Sequence, residues 1–412
     1  MKQLSPFLFC LTLCAGCLTK DYQYAVICDF PAEYGGPNWL VVTDDAGNIL
    51  KTFDVPELTT HLDERFNLDV EDRLETYNLH LVKKGPFLNY SSVFSFYGVG
   101  NGAAVTFNPL LDYTGPAPDA YKILSVKELA APAVVEVPGN FYEYPQTWRY
   151  DAAAQTASMS VAFLNTSDFV VRIRPAGSAS FHSLYVITDT MNGFFIKRQW
   201  SDFLPETNFR LIELSGGGQA DLLEVTAIRP DFKRFTTLML YDGGTHQPAL
   251  SPTQVALPPG LYPESYFRIR VHQGGHTAER TFRPGETLRI EENDLTIKSA
   301  ALAAQHTMEI QVGGTPDLVE TNIRMPDLAG NIRYWNIQGP PEACQHLVLP
   351  DLTGLIPGWI LPEAANLHFE VTASRYGRLD YAQLVAGFPY KGSDGLLFPI
   401  ARYGLQTVTK SY

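Results

Sequence analysis

One block recurs three times along this chain of 412 residues, and it constrains the fold more than any other feature. Each copy has a strand-like run, a loop, a second run, a short turn rich in Asp, Gly and Asn, and a third run. The first copy reads Ala25-Val26-Ile27-Cys28, Trp39-Leu40-Val41-Val42-Thr43, the turn Asp44-Asp45-Ala46-Gly47-Asn48, and Ile49-Leu50. The second reads Val170-Val171-Arg172-Ile173, Leu184-Tyr185-Val186-Ile187-Thr188, the turn Asp189-Thr190-Met191-Asn192-Gly193, and Phe194-Phe195. The third reads Met308-Glu309-Ile310-Gln311-Val312, Asn322-Ile323-Arg324-Met325-Pro326, the turn Asp327-Leu328-Ala329-Gly330-Asn331, and Ile332-Arg333. Alternating β-branched and aromatic residues fit a pleated, half-buried surface. Gly and Asn accept positive φ and Asp caps its own turn, so each block predicts a hairpin.

Two more strand-like runs follow each block: 77–82 and 93–96, 222–226 and 235–239, 367–371 and 381–385. Others lie at 121–124, 133–137, 158–163, 267–271 and 287–290, with hairpin turns expected at 165–168 and 273–275. Residues 57–66 predict a short helix, because Pro56 precedes them and Leu58 and Leu62 are four apart. Short strands and frequent turns predict an all-β fold of tandem antiparallel β-sandwich modules. The repeat divides the chain into modules at 24–164, 165–305 and a shorter 306–412. In architecture they loosely resemble the Ig-like, fibronectin-III-like or transthyretin-like sandwich modules of bacterial surface proteins.

The composition agrees. With 32 Gly and 29 Pro the chain is rich in turn formers, and 45% hydrophobic residues against 18% charged rule out a disordered or coiled-coil chain. A net charge of −13 gives no basic field for nucleic acid, so no nucleic-acid partner is expected.

The N-terminus has a different character. Lys2 precedes a mostly apolar run from Leu4 to Gly16, too short to span a bilayer but right for a secretory signal. It ends Leu13-Cys14-Ala15-Gly16-Cys17. This resembles the bacterial lipobox, and with Leu18-Thr19-Lys20-Asp21 it is similar to the start of Bacteroidetes-type surface lipoproteins. The resemblance implies a signal peptide over 1–16, acylation of Cys17, and a tether over 17–23. It also implies an outer-membrane or cell-surface location, with the membrane as partner through the lipid anchor. Only Cys28 and Cys344 then remain, either as buried free thiols or as a disulfide.

Candidate sites are few. Tyr142, Tyr144 and Trp148, with Trp200 and Trp359, offer aromatic faces for a sugar ring or a partner's apolar patch, or else an internal plug. His272 and His276 flank a turn, with Glu279 nearby, but two ligands fall short of the three or four that zinc needs. The acidic runs at 69–75 and 291–294 lack calcium-loop spacing and read as solvated edges. No nucleophile elbow, phosphate loop or dinucleotide fingerprint appears, so no catalytic residue and no cofactor is expected. The sequence therefore points to a non-catalytic, lipid-anchored envelope protein that presents its modules to an unknown protein or glycan. A carbohydrate-binding or carbohydrate-processing accessory is the first alternative, and a metal-dependent hydrolase the second.

Overall fold

A computed structural model describes residues 20–412 apart from 31–37, 57–58, 71–72, 85–90, 108–119, 139–147, 164–166, 188–193, 216–220, 231–234, 243–253, 262–263, 290–292, 304–305, 327–331, 356–367, 378 and 387–404. The fold is all-β, and four large apolar cores organise the described residues.

The first core lies between β1 (Lys20–Asp29), β4 (His61–Val70) and β7 (Ala104–Thr106) on one side, and β2 (Asn38–Thr43), β3 (Ile49–Val55), β5 (Thr76–Lys84) and β6 (Ser91–Gly100) on the other. Period-two alternation sends Tyr24, Val26 and Cys28 of β1 inward against Leu40, Leu79 and Leu81. The second core lies between a sheet of β8 (Ala120–Lys127), β10 (Trp148–Asp151), β11 (Thr156–Phe163) and β14 (Phe195–Gln199), and a sheet holding β9 (Pro132–Glu136), β12 (Ser167–Pro175), β13 (His182–Val186) and β15 (Leu204–Pro205).

The third core packs β16 (Arg210–Ser215), β19 (Gln254–Leu257) and β22 (Leu288–Arg289) on β17 (Leu222–Ile228), β18 (Phe235–Asp242), β20 (Tyr266–Gln273) and β21 (His276–Phe282). The fourth packs β23 (Thr296–Leu302), β24 (Thr307–Gly313) and β27 (His346–Val348) on β25 (Leu318–Pro326), β26 (Ile332–Gly339), β28 (His368–Tyr376) and β29 (Leu405–Ser411). Among the described residues two short α-helices follow: α1 (Pro341–Cys344) packs on the fourth core, and α2 (Tyr381–Val385) sends Val385 into the first. Among the described residues no helix is long and apolar enough to cross a membrane.

The front sheets of the four sandwiches fuse edge to edge into one 16-stranded sheet, in the order second, third, fourth, first. Parallel pairing of β12 with β18 joins the second to the third, antiparallel β21–β29 joins the third to the fourth, and parallel β26–β6 joins the fourth to the first. Fusion hides edges that would otherwise be templates for aggregation. The joining strands serve two cores at once. Phe169, Val171 and Ile173 of β12 enter the second core while Val170 enters the third. Phe96 and Val99 of β6 enter the first while Val93 and Tyr97 enter the fourth. Cores two and three therefore lie on opposite faces of the fused sheet, and so do cores one and four. Ala278, paired with the third-core residue Val271, and Val408 of the fourth core sit two register positions apart on one face, so cores three and four share a side.

Several expectations change. The boundaries at 164/165 and 305/306 fall between strands that share a core: β11 and β12 both feed the second, and β23 and β24 pair within the fourth. The first and third repeat blocks do form hairpins, β2–β3 and β25–β26. The first closes through Asp44, whose Oδ1 accepts from Asn48 N at 2.8 Å, with Gly47 at φ +80°. The second block does not form a hairpin: β13 stays in the fused sheet, while β14 crosses to the opposite layer and pairs parallel with β8. Nor do β11 and β12 form a hairpin across 165–168, since they lie in different sheets. The helix expected near 57–66 is instead β4, because a spacing of four fits period two as well as 3.6. The strand expected at 381–385 is α2. Asp380 caps it: its Oδ1 accepts from Gln383 N at 2.8 Å, and its own N–H donates to Gln383 Oε1 at 3.2 Å.

Candidate functional site

The fused sheet has a polar face where it turns away from the third and fourth cores. On the third sandwich this face carries Glu224, Arg268, Arg270 and Glu279, brought level by the β17–β20–β21 register. Arg268 Nη2 donates to Glu224 Oε1 at 2.9 Å, Arg270 Nε to Glu279 Oε2 at 2.7 Å, and Thr226 Oγ1 to Glu224 at 2.8 Å. Burial pushes the Glu224 carboxyl up, but Arg268 and Arg270 outweigh it and hold the acid below its ordinary range. On the fourth sandwich the same face carries an amide ladder. Asn322 and Asn336 both donate to Glu320 Oε1, at 3.0 and 2.8 Å, and Asn336 also donates to Asn322 Oδ1 at 2.7 Å. Burial raises the Glu320 carboxyl and these amides only partly oppose it. At the outer end of the ladder Tyr334 is exposed, with the Arg324 guanidinium 5.5 Å from its ring centre. At the inner end α2 covers Leu318, Tyr376 and Leu405.

Two further polar systems are buried. His80 on β5 is fully enclosed between Thr43 Oγ1 at 2.9 Å and Ser95 Oγ at 2.7 Å, and Trp335 Nε1 donates to the same Ser95 oxygen at 2.7 Å. Burial lowers the imidazole to about 3, so it is neutral at ordinary pH. The trio of hydroxyl, imidazole and hydroxyl has the composition of a nucleophile pair, but no carboxylate joins its hydrogen bonds and the site is sealed, so it serves as packing polarity. In the second sandwich Arg172 forks onto Glu206 at 2.7 and 3.0 Å and reaches Glu136 at 3.4 Å. Ser183 donates to the same Glu206 carboxylate, and the guanidinium lies 4.2 Å from the Phe181 ring centre. These acids are spent on charge pairing.

The sequence-derived candidates scatter. Cys17, Tyr142, Tyr144 and Trp359 lie outside the described residues. Trp148 and Trp200 are half-buried against the second core, and Trp200 stacks on Phe203 at 5.6 Å with His182 at 4.8 Å. Both are explained by packing. His272 pairs in register with Thr277, and His276 with Gln273, so the two histidines occupy adjacent positions and point to opposite faces of the hairpin. They cannot share one ion. Among the described residues no group of three or more His, Cys, Asp or Glu side chains is placed to hold a metal. Cys28 and Cys344 are separate buried thiols in the first and fourth cores, and burial pushes both up. Neither is poised as a nucleophile.

Sequence reasoning missed His80, Arg172, Glu206 and the amide ladder. Arg172 was readable as a charge inside an apolar strand run. Glu206 was not, because it reaches Arg172 only through a turn 34 positions on.

No protein-family model and no curated protein matches this chain. Among solved structures it is similar to the tip fimbrial protein Mfa3 from Porphyromonas gingivalis, at 9% identity and a TM-score of 0.16, over 42% of this chain and 83% of that one. It is also similar to the N-terminal four Ig domains of Dscam1 isoform 7.44, at 8% identity and a TM-score of 0.15, over 95% and 98%. Scores this low carry no argument about function.

Proposed function

We propose that this is a non-catalytic, lipid-anchored protein of the bacterial outer membrane or cell surface that presents sandwich modules for binding or surface assembly. The observation that carries the reading is the fused sheet. It binds four sandwiches into one array, while the thiols, the sealed imidazole and the buried acids with chemical potential are consumed in packing and charge pairing. What remains exposed is the outer end of the polar face, around Tyr334 and Arg324, and the two ends of the array. Cys17 supplies the anchor. Replacing it, Cys17→Ala, should move the protein from the membrane fraction to the soluble fraction; unchanged fractionation would remove the lipoprotein part of the proposal.

A carbohydrate-binding role has one specific observation in its favour. Exposed Tyr334, capped by Arg324 and next to the half-buried amides of Asn322 and Asn336, has the stacking and hydrogen-bonding chemistry a sugar ring requires. If this face holds glycan, affinity electrophoresis through cell-surface polysaccharide should retard the wild type, and Tyr334→Ala should lose at least about tenfold in affinity.

A further inference from the structure

The two ends of the fused sheet are built alike and charged oppositely. At one end, the first sandwich presents β3 as the last strand of the fused sheet and β4 as the last strand of the opposing layer. Phe53 of β3 and Phe66 of β4 meet at 5.9 Å, which places the two edges side by side. At the other end, the second sandwich presents β15 and β14 in the same two roles, and only residues 200–203 separate them in the chain. Among the described residues none of these four strands has a second strand neighbour.

Exposed apolar side chains gather at these ends. Among the described residues the large hydrophobics left exposed are Ile49 on β3, Leu204 on β15, Phe194 and Phe195 at β14, Tyr121 on the adjacent β8, Ile187 just after β13, and Tyr334. All but Tyr334 lie in the terminal sandwiches. Phe194, just before β14, and Phe195, its first residue, are 56% and 55% exposed and stack edge to face at 5.4 Å. Exposed apolar surface concentrated at strand edges marks an interface.

The charges say which partner fits. Strand β4 carries exposed Asp63 and Glu64 beside Arg65, whereas β14 carries Lys197 and Arg198 and no acid. In each strand one charge sits on the inward-facing register. Glu64 aligns with core residue Val26, and Arg198 with core residue Val126. An inward charge at an edge blocks pairing with a like edge, so β4 against β4, or β14 against β14, sets like charges together. The pairing that relieves both is β4 of one copy against β14 of another.

We propose that a second copy of this chain is the occupant: the β14–β15 end of one molecule docks on the β3–β4 end of the next. The contact is heterologous, so each added copy leaves a fresh end and the array grows as an open chain. This deepens the assembly reading and is independent of the lipid anchor.

The test uses the full chain carrying Cys17→Ala, so that lipid contributes nothing, in sedimentation velocity over rising concentration. Species of increasing size are expected for this form. Glu64→Arg alone and Arg198→Glu alone should each weaken self-association at least about tenfold, by setting like charges at the contact. Mixing the two variants should restore it, because each end then meets an opposite charge. A parent that stays monomeric, variants that associate as well as the parent, or a mixture no larger than its components would each overturn the proposal. A monomeric parent whose wild-type form still fractionates with membrane would overturn self-association while leaving the anchor intact.

Discussion

The junction between the first and fourth sandwiches and the junction between the second and third use the same device, a parallel strand pair, with very different side chains. In β6–β26 the register covers Ser92 to Phe96 against Tyr334 to Gln338, and Val93, Tyr97, Trp335 and Ile337 all enter one core. Val41 and Val82 from deeper in the first sandwich join the same core, and Tyr97 Oη donates to the Val348 carbonyl at 2.9 Å. In β12–β18 the register covers only Ser167 to Phe169 against Phe235 to Thr237, and Val170 is the β12 residue given to the third core. Beside it stands the charged Arg172 system rather than a shared apolar layer. The first and fourth sandwiches are thus two halves of one packed unit, with the sheet of the first as its middle layer. The second is joined by backbone pairing and owns its core.

Trp335→Ala should test this most sharply. It removes a fully buried ring and the donor to Ser95, and about 3–5 kcal/mol of stability should go with it. Hydrogen exchange should show β5 and β6 losing protection together with β25 and β26, while β12 and β13 keep theirs. Loss confined to the fourth sandwich would break the idea of a shared unit.

Arg172→Ala addresses the other junction. It strands Glu206 and Glu136 as buried acids without their guanidinium, an expected cost of about 3 kcal/mol. Exchange should rise in β9, β12 and β13 and leave β5 and β26 unchanged; a global loss would mean the second sandwich is not separable.

The smallest effect, taken per pH unit, is set by titration. His80 is neutral in the fold, with its pKa lowered to about 3 from 6.5, whereas the unfolded chain takes up a proton below about 6.5. Stability from this residue is therefore fully present above about 6.5 and declines as pH falls toward 3, by up to about 1.4 kcal/mol per pH unit. His80→Asn should flatten that slope in chemical denaturation at pH 4 to 7. An unchanged slope would show that the first–fourth junction does not depend on excluding charge.

Most strands were legible because alternation is local. Tyr24, Val26 and Cys28 or Leu223, Val225 and Ala227 announce an inward face without reference to anything distant. The hairpins β2–β3 and β20–β21 were legible for the same reason, through Asp44 with Gly47 and through Gly274 with Gly275, all three glycines at positive φ. The capping box of α2 was present as Asp380 with Gln383, yet the apolar run hid it. The failures of topology share one cause. Whether β13 turns back beside its successor or sends it across the sandwich depends on which sheet has room, and two similar blocks gave two answers.

The chain's own sequence determined an all-β fold, most of its strands and which side chains of each strand face inward, since these follow from backbone sterics and period-two burial. Only the tertiary structure decided the four cores, the order second-third-fourth-first, and the meeting of His80 with Trp335 or Arg172 with Glu206. Edge-to-edge pairing within the fused sheet is made by backbone groups that every residue carries, so the apolar alternation of a strand does not by itself say which edge it will meet.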